Sequence, residues 1–202
     1  MLIYLIRHGE TDFNLEGRYQ GMYLESHLTE KGRAQARAAS PRYRGIPFAR
    51  IYVSSSERTR ETASLLFPER NDFIYRDDLR ETDVGELAGN LISEFEEKFG
   101  ERYRLFQKTR DYSLFGGESR EALLERAKGA VNAILADGEG DVAIVTHGGT
   151  VRVLLTALTG ISPYAVSILS NCSFAAIEYK DGVGVLKEYG TPVLDATSTE
   201  AL

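Results

Sequence analysis

The chain has 202 residues, 43% of them hydrophobic and 27% charged, which suits one soluble domain with a sizeable core, with or without a sub-domain. A formal net charge of −6 and a pI near 5.2 exclude a globally basic face for nucleic acid or anionic membrane, so counter-charges for an anionic small substrate have to be local. The single cysteine, Cys172, excludes an intrachain disulfide and a cysteine-cluster metal site, and it fits a reducing cytoplasm. No stretch approaches the ~20 apolar residues of a membrane span. The opening MLIYLIR is too short for a signal core and has no basic flank, so no export is expected.

In chain order, Leu2–Ile6 is a continuous apolar, β-rich run, as expected for a strand buried on both faces of a parallel sheet. Thr29–Ala39 reads as a helix with Thr29 as N-cap and Glu30 in its first turn. A shorter strand, Arg50–Val53, precedes a helix over Arg58–Phe67 that Pro68 closes. Leu91–Tyr112 is dense in charge, with Phe95, Phe99, Tyr103 and Phe106 three to four residues apart. It reads as an amphipathic helical pair, a flap at about 90–115 packed by its aromatics that can also cover substrate. Ser119–Ala136 is helical in its spacing of Leu124, Ala127, Val131 and Ile134, the strand Asp141–Thr146 follows, and Gly149–Leu158 closes at Gly160. Ser173–Tyr179 and Val183–Tyr189 flank Asp181-Gly182, a hairpin signal. The expectation is one α/β domain over 1–202: a three-layer α/β/α sandwich with a mainly parallel central sheet, an antiparallel edge hairpin and an inserted helical flap.

Ligands of open α/β sheets bind beyond the carboxyl ends of the strands. Two of the three histidines fall there, His8 and His147, each followed by glycine. Arg7 precedes His8, Arg58 and Arg60 open the helix after Arg50–Val53, and Arg152 lies one turn beyond His147. Guanidinium groups and helix N-termini suit a phosphoryl group, whereas a cation site among arginines does not. Glu81 is a carboxyl that a nearby phosphate dianion would help to protonate, as a leaving alkoxide requires. Structural alternatives exist: Glu81 paired to Arg80 or Arg76, the arginines as surface charges, and His27 as an exposed loop residue or a contact at the pocket rim.

Arg7–Thr11 (RHGET) with Asn14 resembles the signature of the histidine phosphatase superfamily, the phosphoglycerate mutase-like proteins. Gln20-Gly21, Leu28–Ala36, Ser54–Ala63, Leu79–Gly89, Gly116–Ser119, Val145–Leu154 and Asn171–Ser173 resemble its later blocks, in family order. The resemblance implies that His8 is the nucleophile, that Arg7, Arg58 and His147 surround the phosphate, and that Glu81 is the proton donor. It implies phosphate or substrate contacts from Asn14, Gln20, Gly21 and the Gly148 amide. It further implies a metal-independent phosphomonoesterase acting through phosphohistidine, with no cofactor and a small phosphorylated metabolite as partner. Nucleic acid and membrane are not expected, and a homodimer is left open.

Departures from the family bear on substrate shape. The chain has no tryptophan, Leu87-Ala88 replaces an aromatic-acidic pair, and His27 stands where proline is common. Family mutases are typically longer, and flap residues 94–110 mix five basic with four acidic side chains, so no basic surplus is evident. A phosphatase is therefore preferred, with α-ribazole phosphate or a broad range of phosphomonoesters as substrate. A cofactor-dependent phosphoglycerate mutase, using 2,3-bisphosphoglycerate, is the alternative. An inactive phosphate-binding scaffold is a weaker one, because all five core residues are present.

Overall fold

Strand β1 (Leu2–Arg7) runs through the middle of the sheet because both its faces are apolar: Ile3 and Leu5 enter one core, Ile6 the other. The computed structural model describes residues 1–190, so the expected 1–202 domain reaches beyond the described residues at 191–202. After β1 come α1 (Asp12–Glu16), α2 (Glu30–Tyr43), β2 (Arg50–Ser54), α3 (Glu57–Leu66) and β3 (Ile74–Arg76). The chain continues with α4 (Phe95–Thr109), α5 (Arg120–Ala136), β4 (Val142–Thr146), α6 (Gly148–Thr159), β5 (Phe174–Lys180) and β6 (Val183–Tyr189). Among the described residues no helix is long and apolar enough to cross a membrane.

The sheet has six strands in the order β3-β2-β4-β1-β5-β6. β3, β2, β4 and β1 are parallel, and β5 and β6 form the expected antiparallel edge pair. β4 is buried throughout and splits its side chains between the faces: Val142 and Ile144 meet α5 and α6, while Ala143 and Val145 meet α2 and α3. Helices therefore cover both faces, the three-layer arrangement expected. Strand β3 and helix α1 were not anticipated, being short elements that carry no apolar periodicity.

The flap is the helical pair expected: a 3₁₀ turn at Ile92–Glu94 leads into α4, whose two helical arms meet at a kink at Gly100, non-helical at φ 49° and ψ −124°. Its aromatics pack as anticipated, with Phe95 and Phe106 buried against Phe115, Val84 and Leu87, and the Tyr103 and Phe106 rings stacked at 6.0 Å.

The turn after β1 packs directly on α2, backbone to backbone. A Cβ on Gly32 would lie 2.0 Å from the Glu10 carbonyl oxygen, and one on Gly9 would lie 2.6 Å from the Gly32 carbonyl oxygen. Gly32→Ala is therefore expected to destabilise by about 1–3 kcal/mol. Gly129→Ala, on an open face of α5 with nothing within 4 Å, should instead stabilise, by about 0.5–1 kcal/mol. Denaturant unfolding of the two variants checks both signs.

Candidate active site

Parallel pairing of β1 with β4 sets Arg7 opposite Thr146, so the next residues, His8 and His147, emerge side by side. Their ring centres are 5.3 Å apart. β2 lies on the other side of β4, and its carboxyl end leads to Arg58 on α3. Three adjacent strand ends thus converge, as strand-end binding requires. Arg7, His8, Asn14, Gln20, Gly21, Glu81 and Gly148 line a cavity of about 800 Å³. Arg58 and His147 are both fully buried and lie outside its lining, joined to each other by a hydrogen bond, with the His147 ring next to that of His8.

The hydrogen bonds assign the tautomers. His8 Nδ1 is 2.7 Å from the Gly9 carbonyl, which can only accept, so Nδ1 carries the proton and Nε2 keeps its lone pair. The Gly9 amide in turn donates to Thr62 Oγ1 at 3.1 Å, fixing this turn to α3. Arg58 Nε donates to His147 Nδ1 at 3.2 Å, which leaves the His147 proton on Nε2, 2.8 Å from Ser54 Oγ. The Arg58 Nη atoms donate to the Leu24 and Gly21 carbonyls. Arg7 Nη1 donates to the Leu169 carbonyl at 2.5 Å, while its buried Nε has no partner among the described residues. That orphaned donor lies beside Gly148 at the start of α6, where an anion would satisfy it.

Glu81 pairs with neither Arg80 nor Arg76, which bond Glu25 and Asp78. Its carboxylate accepts from the Gly149 and Thr150 amides, both at 3.1 Å, at the N-terminus of α6. A Cβ on Gly149 would come within 2.6 Å of Glu81 Oε1, which explains the second glycine after His147. Arg126 fixes the Glu81 loop by donating to the Asp78 and Arg80 carbonyls while paired to Glu118.

Asn14 Oδ1 accepts from the Thr11 amide and from Asn171 Nδ2, which also donates to the His8 carbonyl. Gln20 Nε2 donates to Thr11 Oγ1 at 2.5 Å. Arg60 does not join the site, since its guanidinium lies 4.3 Å from the Tyr75 ring centre on another face. Arg152 lines the cavity but bonds the Pro163 carbonyl rather than reaching His8. His27 is exposed beside Glu57, the looser of its two readings. Sequence reasoning missed Ser54, Gly149 and Thr150 as individual contributors. A polar residue ending an otherwise buried strand was the available signal for Ser54.

Burial, then the positive charges of Arg58 and Arg7, hold His8 well below the ordinary histidine range, against the opposite pull of the Gly9 carbonyl. Burial and Arg58 do the same to His147. Both rings stay unprotonated in the fold at pH values where the unfolded chain already takes up protons. Their contribution is complete above the unfolded value of 6.5 and is lost as pH falls from there toward the folded values. We expect stability to fall by about 1.4 kcal/mol per pH unit per ring below that point. Thermal unfolding between pH 7.5 and 5 measures it, and His8→Asn should remove one ring's share.

A model of the histidine phosphatase superfamily (branch 1) matches residues 3–192. A Cronobacter sakazakii protein named "Probable phosphoglycerate mutase GpmB" is 36% identical over 183 residues, 88% of this chain and 85% of that one. The structure of Bacillus stearothermophilus YhfR superposes with a TM-score of 0.81 at 32% identity, covering 92% of this chain and 94% of that one. A mycobacterial glucosyl-3-phosphoglycerate phosphatase superposes with a TM-score of 0.85 at 25% identity, covering 94% and 98%. The paired histidines at adjacent strand ends thus sit in a chain matched almost from end to end: it belongs to the histidine phosphatase superfamily, branch 1.

Proposed function

We propose that the chain is a phosphatase that hydrolyses small phosphomonoesters through a phosphohistidine, without metal or cofactor, in the cytoplasm. The observation that carries this reading is the His8 tautomer: the proton is on Nδ1 and the lone pair is on Nε2, at the wall of a cavity ringed by cationic and neutral donors. His8 Nε2 attacks phosphorus as the bond to the ester oxygen breaks in line. Arg7, Arg58 and His147 offset charge on the equatorial oxygens, Arg58 exchanging its carbonyl partners for phosphate oxygens. Glu81, protonated as the dianion arrives, gives its proton to the leaving alkoxide. The resulting carboxylate then takes a proton from water, whose oxygen attacks phosphorus while the P–N bond returns its pair to His8. Phosphate leaves and Glu81 is protonated again.

Phosphoglycerate mutase is the second reading, favoured by the name of the Cronobacter relative and by cations that line the cavity. Composition suggested no basic surplus in the flap, but orientation separates its charges. Arg102 and Arg104 pair with Glu86 and Glu96 on the outside, while Lys108 and Arg110 line the cavity. Two assays decide between the readings: phosphate release from p-nitrophenyl phosphate and a metabolite panel that includes α-ribazole phosphate, with and without chelator, and isomerisation of 3-phosphoglycerate primed by 2,3-bisphosphoglycerate. Chelator-resistant phosphate release is expected. Isomerisation with little release would replace phosphatase by mutase.

A further inference from the structure

Glu81 stands in a stretch without regular structure, between the 3₁₀ turns at Asp77–Leu79 and Gly85–Leu87. Backbone groups there have no helix or strand to bond, so other partners have to fix the shape that aims the carboxyl. Side chains supply them. Thr146, at the end of β4, donates to the Leu79 carbonyl at 2.7 Å, and Thr150 on α6 donates to that of Arg80 at 2.8 Å. The Asp78 and Arg80 carbonyls and the Asp83 amide all go to a single ion pair, Glu118–Arg126.

That pair is the least exposed ion pair among the described residues, at 17% for Arg126 and 16% for Glu118, and neither residue lines the cavity. Arg126 binds Glu118 through Nε and Nη2, at 2.7 and 2.8 Å. It directs both hydrogens of Nη1 to the Asp78 and Arg80 carbonyls, at 2.8 and 2.9 Å. Glu118 Oε2 accepts from the Asp83 amide at 2.9 Å, and the Glu118 amide donates to the Asp83 carbonyl at 2.9 Å. Gly117 makes this approach possible, since a Cβ there would lie 2.3 Å from the Asp83 carbonyl oxygen. An enclosed ion pair adds little net stability over apolar side chains of the same volume. What this one adds is direction: a rigid fork bonded to the backbone on both sides of Glu81.

We propose that Glu118 and Arg126 are positioning residues for proton transfer: they touch no substrate, and they hold the 78–83 loop so that the Glu81 carboxyl stays seated on the Gly149 and Thr150 amides with its proton toward the leaving oxygen. The inference rests on the phosphatase reading and assigns the control of its acid–base step. Released from the pair, the Asp78 and Arg80 carbonyls and the Asp83 amide turn to water and the carboxyl shifts. A displacement of about 1 Å at a reacting group can cost about 10²-fold in rate. In that reading the cost falls on kcat, because the phosphate is gripped by Arg7, Arg58 and His147, which stand on other elements.

Leaving-group dependence tests it. Arg126→Gln and Glu118→Gln should each lower kcat on the best alkyl phosphate of the metabolite panel by about 10–10²-fold with KM nearly unchanged. On p-nitrophenyl phosphate, whose leaving group needs no proton, both should give a burst of nitrophenolate followed by slow turnover. Added to Glu81→Gln, the Arg126→Gln change should cost little more, since a residue that acts through Glu81 then has nothing left to place. Equal losses on both esters without a burst, or losses that multiply in the double variant, overturn the proposal. Should Arg126→Gln fail to fold, Glu118→Gln carries the same comparison, because glutamine keeps an acceptor for the Asp83 amide. The amide NMR signals of Gly149 and Thr150 add a readout that needs no turnover. Glu81→Gln should displace them, and Arg126→Gln and Glu118→Gln should displace them too, whereas signals left at their wild-type positions overturn the positioning role. A wild-type protein that hydrolyses no ester would reject the phosphatase reading, and those signals would still decide whether the pair places Glu81.

Discussion

Replacing His8 by alanine is expected to lower kcat on any phosphomonoester by at least about 10⁴-fold while the protein stays folded. The size follows from the position of the ring. Its Nδ1 is committed to the Gly9 carbonyl, so Nε2 is an unprotonated nucleophile at neutral pH and below. The second imidazole cannot take over, because His147 Nδ1 faces Arg58 and its Nε2 faces Ser54, behind the cavity wall. Acid-labile, alkali-stable phosphate should appear on the wild-type chain during turnover, and none on the variant. A variant that keeps substantial turnover, or labels to the wild-type extent, would overturn covalent catalysis at His8. Stability should change little, since the ring bonds its own neighbour and the His8 backbone is held separately, through its amide to Thr146 and its carbonyl to Cys172 and Asn171.

Much of this arrangement was legible in the residues. β1 and β4 announce themselves by continuous apolar runs, and those runs are the two neighbouring central strands that aim His8 and His147. Their adjacency is a register fact, and one sequence holds no register for strands separated by 135 residues. β3 escaped because three half-exposed residues at a sheet edge bury too little to leave a pattern. α1 escaped because a five-residue helix held by the Thr11–Asn14 capping box has no buried face. The charge of the flap was misjudged for a different reason: composition sums side chains, whereas function depends on which way they turn. Arg104 and Arg110 are six positions apart on one segment, yet one is neutralised by Glu96 and Glu101 and the other faces the cavity.

Glu81→Gln should separate the two chemical steps. The carboxylate is held by the Gly149 and Thr150 amides, each aimed at a different oxygen. Glutamine keeps one acceptor but turns an NH₂ toward the other amide, so a small loss of stability accompanies the loss of acid–base function. With alkyl phosphates the leaving alkoxide needs the proton, and kcat is expected to fall by about 10²–10⁴-fold. With p-nitrophenyl phosphate the nitrophenolate leaves without one, so His8 should still be phosphorylated at close to the wild-type rate. Hydrolysis of that phosphohistidine still needs a base to take the proton from water. Rapid mixing should therefore show a burst of nitrophenolate equal to the enzyme present, followed by slow turnover. Equal slowing on both ester classes with no burst would mean that Glu81 only shapes the site. The burst would place it on the proton, first as acid to the alcohol and then as base to the water.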